Sequence, residues 1–390
     1  MRHSLFVLLI LLMAIVNFGI EVNVVHEWKY CEYEWNSQKQ KEDAINSGTF
    51  NTSKCIFFDV TRADDGRIFI AIPKYFGSDV PASLATVTNT TGPGGPLLRP
   101  YPDWSWYNRS CICDGIINVY RIHIQCNHIF VMDFGAVLND QICNPKLLIF
   151  NLKDDTLVKT IYIPVDIAFN RTGSGSLIEP LVYVTKKCTG FLDKMIVFMA
   201  DPVGFGLVVY DTSRKRMCRV ESDYMKPTDA SLSINGNNFP LDFGIYGMTI
   251  IGDDFYYAPL SGKEIYKIKV KTLIKCPNKE QANKLTKFVV KLSSQPTELT
   301  SIGHSIFYSL TSERSIVGTN VYKNSGNNTV VLAQDEKFQR LTAIEVLSYW
   351  GKLISLSNTF HRFYQGIIRL DEINLRIFYM DLAKIQKIMG

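Results

Sequence analysis

"DKMIVFMADPVGFGLVVYD", residues 193–211, reads as a turn, a hydrophobic strand, an acidic residue, a short loop and a second strand. The same order recurs along the chain. It is found in "GRIFIAIP" (66–73), "NHIFVMDFG" (127–135), "DDFYYAPLSGKEIYKI" (253–268), "HSIFYSLTSERSIVGTNVY" (304–322) and "GKLISLSNTFHRFYQGIIRL" (351–370). Anchoring the copies on Ile68, Ile129, Ile196, Phe255, Ile306 and Leu353 gives spacings of 61, 67, 59, 51 and 47 residues. Each interval has room for four short strands, so the pattern predicts an all-β fold, a six-bladed β-propeller. Seven blades would need a copy that the sequence does not show, and a β-sandwich would not repeat in this way. Only "NKEQANKLTKFV" (278–289) has the look of a helix.

Working outward, the first residues carry a different signal. Met1-Arg2-His3 is followed by an apolar run from Leu5 to Val16, a basic start and a core too short to span a bilayer. This predicts a cleaved signal peptide over residues 1–19, a secreted protein with no membrane span, and one propeller domain over residues 20–390. The length would allow two or three domains, but no linker divides the chain. The nearest candidate, "TNTTGPGGP" (88–96), is one loop long. Five Asn-x-Ser/Thr sequons, at Asn51, Asn89, Asn108, Asn170 and Asn327, are candidate glycosylation sites in loop-like contexts. Nine cysteines in an exported chain argue for disulfides, with at least one thiol left over. A net charge of +5 is too mild to imply nucleic acid.

Motifs of catalysis are missing from the chain. "TGSGSL" lacks the strand-turn-helix setting of a nucleophile elbow, and neither His-Glu-x-x-His nor a P-loop occurs. His123 and His128 flank Cys126 and could suggest a metal cluster with Cys111 and Cys113, but they read as a strand and a turn residue, so no metal and no cofactor are expected. Asp64-Asp65, Asp154-Asp155 and Asp253-Asp254 sit where hairpin tips are expected, as Asp favours turns. Lys267, Lys269 and Lys271 alternate as on one solvated strand face. The segment "GGPLLRPYPDWSWYNRSCICDGI" (94–116) is too rich in proline for a helix and reads as an extended crossing between early blades, its aromatics packed on the propeller.

From "HEWKYCEYEWNSQKQKEDAINSGTF" (26–50) nearly to the end, the chain resembles the insect yellow and major royal jelly protein family. "GGPLLRPYPDWSW", "CDGIINVYRIHI", "CNHIFVMDFG", "CNPKLLIFNL", "GFGLVVYD" and "NGNNFPLDFGIYGM" are family landmarks in family order. "IPVDIAFNRTGSGSL" and "LSNTFHRFYQGIIRLDEINLRIFYMDL" make it most similar to the royal jelly branch. The resemblance implies a six-bladed propeller, agreeing with the repeat count. It also implies disulfides Cys126–Cys188 and Cys113–Cys143. A third family bridge has no counterpart, since Val321 stands at one of its positions and the sequence stops before the other. Cys31, Cys55, Cys111, Cys218 and Cys276 depart from the pattern, with Cys31–Cys55 a candidate extra bridge.

The resemblance further implies a ligand site at the channel mouth. Salivary members of the family bind small biogenic amines there. Their pocket motif is matched by Asn358 and Phe360 in "SNTF" and by Thr342 in "RLTAIEV", with Asp201 and Tyr246 at comparable inner-strand positions. An aromatic face with amide and hydroxyl acceptors would hold a protonated amine. The expected function is that of a non-enzymatic secreted glycoprotein with a nutritional, storage or secretion role. Expected partners are a small amine or sterol, a second copy of the chain or a small partner peptide. Amine sequestration is the first alternative, and a dopachrome-rearranging enzyme of melanin synthesis the second.

Overall fold

In the computed structural model, which describes residues 19–108, 111–184, 187–234, 236–323 and 328–390, six four-stranded antiparallel sheets surround a channel. Residues 1–18 of the leader expected over 1–19, and the sequon at Asn327, lie outside the described residues.

Each blade begins with its innermost strand. In order these are Asp59–Arg62, Val119–Gln125, Glu179–Tyr183, Ile245–Ile251, Pro296–Ile302 and Leu341–Leu347. Each inner strand packs beside the next, and the sixth returns to the first, so the ring is closed. The six anchor residues all fall in the second strand of their blade: Ile68–Ala71, His128–Asp133, Ile196–Asp201, Asp254–Pro259, Ser305–Leu310 and Lys352–Asn358. The reason is burial. A second strand is flanked within its sheet and covered on both faces by neighbouring blades, so Ile196–Asp201 is buried at every position. The outer strand Thr156–Tyr162 is mostly exposed and reads only weakly.

The sixth blade is completed by the other end of the chain. Asn23–Trp28 pairs antiparallel with Leu375–Asp381, Trp28 opposite Leu375. Trp28 is fully buried, its Nε1 donating to the Pro96 carbonyl at 2.7 Å, which ties this closure to the first blade.

Several expectations need correction. "TNTTGPGGP", expected as a loop, is mostly strand; it lies within the hairpin of Leu84–Gly92 and Gly95–Pro100, the two outer strands of the first blade. The proline-rich segment therefore starts as a strand, not as a crossing. Its aromatics do pack: Trp104 stacks on Trp35 at 4.8 Å, and Trp106 meets Phe150 edge-on at 4.9 Å. The helix at Lys279–Leu285 is shorter than 278–289, because Lys287–Lys291 is a strand. Further helices occur at Gln38–Asn46, Phe360–Gln365 and Leu382–Met389. Lys267 and Lys269 converge on Asp254, at 3.2 and 2.7 Å, while Lys271 belongs to the short helix Val270–Leu273, so the three share no strand face.

Disulfides join Cys113 to Cys143 and Cys126 to Cys188. A third bridge, Cys218–Cys276, ties the outer strand of the third blade to the segment after Val270–Leu273 in the fourth. Cys31 and Cys55 are unbridged buried thiols hydrogen-bonded to one another, and burial pushes the Cys31 thiol well above its usual range. Cys111 is a free, exposed thiol.

Candidate functional site in the central channel

The inner strands run in the same sense, so their N-terminal ends form one mouth of the channel and their C-terminal ends the other. Arg121, on the second blade, crosses the middle and is 1% exposed. Its Nη1 donates to Asp59 Oδ1 at 3.1 Å and to Glu298 Oε2 at 2.7 Å. Its Nη2 donates to Tyr246 Oη at 2.6 Å and, in a short contact, to the Thr342 carbonyl. One guanidinium thus reaches the inner strands of the first, fourth, fifth and sixth blades. A buried arginine is tolerated only with such partners, and its five donors in a fixed fork suit a ring of acceptors.

On the mouth side of Arg121 lies a cavity of about 620 Å³. Phe58, Tyr75, Tyr120, Phe134, Phe243 and Tyr246 make much of its wall. Phe58 stacks on Tyr75 at 5.4 Å and meets Tyr120 edge-on at 5.5 Å. Arg340 is the one charged side chain among the described lining residues. Its guanidinium lies 4.0 Å from the Phe360 ring centre and 5.7 Å from that of Phe58. Arg340 is 5% exposed, and its Nε and Nη1 have no hydrogen-bond partner. Burial lowers its pKa, but arginine starts so high that it stays charged.

The residues expected at this mouth divide. Tyr246 lines the cavity and holds Arg121. Thr342, Asn358 and Phe360 form a buried bracket behind Arg340. Asn358 Nδ2 donates to the Phe57 carbonyl at 2.8 Å and to Thr342 Oγ1 at 3.4 Å, and Asn358 Oδ1 accepts from the Phe360 amide at 3.1 Å. Phe360 presents its ring to Arg340, so the cation–π place is taken by the protein's own cation. Asp201 does not line the cavity. Its carboxylate accepts from the amides of Ser176 (2.6 Å) and Gly204 (2.8 Å) and from Arg219 Nη2 (2.7 Å), shaping the loop whose Pro202 and Val203 reach the mouth.

On the far side of Arg121 is a second cavity, about 410 Å³, the channel floor. Asp59, Glu179, Glu298 and Glu345 line it from four blades, together with His123. Burial raises the pKa of Glu298 to about 7 and of Glu345 to about 8, and drives His123 down to about 4.

Sequence reasoning missed Arg121, Arg340 and the floor carboxylates. A signal for most of these was present: Arg121, Glu298 and Glu345 each stand eight residues before their blade's anchor, and Asp59 nine before. A charge at that fixed place before the anchor, in the first strand of the blade, marks a residue facing the channel.

The comparisons with known proteins agree with one another. The family described as Major royal jelly protein matches residues 117–389. Major royal jelly protein 8 of Apis mellifera is 32% identical over 395 residues, covering 95% of this chain and 93% of the relative. Major royal jelly protein 6 of the same species is 31% identical, covering 95% and 88%. Among solved structures, a glucose dehydrogenase-type oxidoreductase of Thermus thermophilus superposes with a TM-score of 0.50 at 11% identity, over 93% of this chain and all of that one, a likeness of fold alone. The chain belongs to the major royal jelly protein family.

Proposed function

We propose that this protein is a secreted, non-enzymatic glycoprotein of the royal jelly type, with a nutritional, storage or secretion role. Residues 1–19 serve as its leader and residues 20–390 as one propeller domain. Its channel mouth holds a small apolar ligand that carries an oxygen acceptor, a carboxylate or a sterol hydroxyl.

The observation that carries the ligand reading is Arg340, a buried cation with two unpaired nitrogen donors inside an aromatic box. A buried donor without a partner costs free energy that an acceptor on a ligand would recover. The cavity volume is in the range of small-molecule sites. A protonated amine suits this mouth less well, because Arg340 repels it and already occupies the Phe360 face. The dopachrome reading needs an acid/base group at the mouth. The described titratable lining consists of Tyr75, Tyr120, Tyr246 and Arg340, and burial pushes all three phenols upward, away from neutral pH.

Calorimetric titration with decanoate, cholesterol and serotonin tests the reading. Decanoate or cholesterol binds the wild type more tightly than serotonin, and Arg340→Met weakens decanoate by about tenfold or more, the loss of one charge-assisted contact. Serotonin binding more tightly than both, or decanoate binding unchanged in the variant, would overturn it.

A further inference from the structure

We propose that the channel floor is a second ligand site, separate from the mouth, for a small organic cation with two or more ammonium groups, a linear diamine or polyamine.

The first observation is an imbalance of acidic over basic groups. Asp59, Glu179, Glu298 and Glu345 face the floor cavity, and Arg121 is the one basic side chain that pairs with any of them among the described residues. Arg121 binds Asp59 and Glu298 directly and acts on Glu179 only at longer range, so Glu179 and Glu345 have no ion pair of their own among the described residues. His123 cannot serve, since burial keeps it neutral at physiological pH.

The second observation points to a ligand. Glu179, a residue of the cavity wall, is 5% exposed, and its Oε2 has no hydrogen-bond partner. The Nε2 of His123, on the next inner strand, has none either. Burial holds Glu179, Glu298 and Glu345 toward their protonated forms and leaves one carboxyl oxygen open, and a ligand bearing N–H donors and positive charge would fill that place and let these groups ionise.

The spacing then selects the kind of cation. Asp59 and Glu298 meet on one nitrogen of Arg121, while Glu179 and Glu345 stand apart from that pair, on the third and sixth blades. No group of three acidic, histidine or cysteine side chains among the described residues is placed to hold a metal ion. A divalent cation draws its oxygens to within about 2.0–2.6 Å, and the place where Asp59 and Glu298 meet is already filled by Arg121. A chain with ammonium groups at its ends can reach two of the carboxylates across a cavity of about 410 Å³. Arg121 and Tyr246 wall this site off from the mouth, so the two fill independently.

The test is calorimetry on the full secreted protein with spermidine and putrescine, using butylamine and Ca²⁺ as controls. Spermidine is expected to bind about tenfold or more tighter than butylamine, and Glu179→Gln or Glu345→Gln to weaken it by about tenfold, as loss of one charged partner does. Binding near neutral pH should release protons, since the ligand favours the ionised forms of Glu298 and Glu345. The measured heat would then vary with the buffer's ionisation enthalpy. Arg340→Met at the mouth leaves spermidine binding unchanged, which separates this site from the one proposed above. Circular dichroism checks each variant's fold, and Glu345→Gln is read if Glu179→Gln does not fold. The proposal fails if spermidine does not bind at millimolar concentration, if butylamine binds equally well, if both glutamine variants bind normally, or if Ca²⁺ binds and is lost in the same variants.

Discussion

Arg121 Nη2 donates to Tyr246 Oη at 2.6 Å, across the channel between the second and fourth blades, while the same guanidinium holds Asp59 and Glu298. This contact separates an aromatic mouth with an unsatisfied arginine from an acidic floor where Glu179 Oε2 has no partner. Two chemistries of opposite sign are kept apart by one buried side chain.

Replacing Arg121 by Met leaves Asp59 and Glu298 buried without their cation. Breaking a buried ion pair from one side costs about 3–5 kcal/mol. Urea unfolding of the variant should show a midpoint lowered to match. Tyr246→Phe removes one neutral partner of the guanidinium and should cost about 1–3 kcal/mol.

Glu345 gives the fold a pH dependence of defined sign. Its ordinary value is 4.5, and burial raises it to about 8, so the folded chain holds this proton more tightly than the unfolded chain. The stabilisation is complete below pH 4.5 and is lost as the pH rises through 8. Glu298, raised to about 7, acts in the same direction. Glu345→Gln should flatten this part of the profile, gaining on the wild type between pH 5 and 8.5 in urea titrations. An unchanged difference across that interval would contradict the assignment.

The bridge Cys218–Cys276 closes a loop of 58 residues between the third and fourth blades. Replacing both cysteines by Ala should destabilise the propeller by about 2–4 kcal/mol, because the unfolded chain regains the entropy that the cross-link removes. Thermal unfolding of the double variant measures this.

Glycan occupancy should follow side-chain access. Asn51, Asn89 and Asn108 are exposed, so mass spectrometry of the protein expressed in insect cells should find them modified. Asn170 is half-buried; its Oδ1 accepts from the amides of Thr172 and Ser174, and its Nδ2 donates to the Gly204 carbonyl at 3.4 Å. Lower occupancy is expected there than at the other three.

The parts of the fold legible in the sequence were those with uniform surroundings. The second strand of every blade is covered on both faces, so selection for apolar residues leaves a continuous run such as Ile196–Ala200. Six such runs, counted, predict six blades, and the family landmarks point the same way. The candidate site was less legible. Resemblance led to Tyr246 and to the bracket of Thr342, Asn358 and Phe360, but nothing local says that Arg340 lies over Phe360, or that Asp201 is held by Arg219.

By itself, then, the sequence determined the blade count and the family, because each rests on residues near one another in the chain. The tertiary structure alone decided the closure of Asn23–Trp28 on Leu375–Asp381, the pairing of Cys218 with Cys276, and the convergence of Asp59, Arg121, Tyr246, Glu298 and Thr342. Those contacts join residues 58 to more than 300 positions apart, and whether a buried charge finds its partner depends on where the closed ring brings the inner strands.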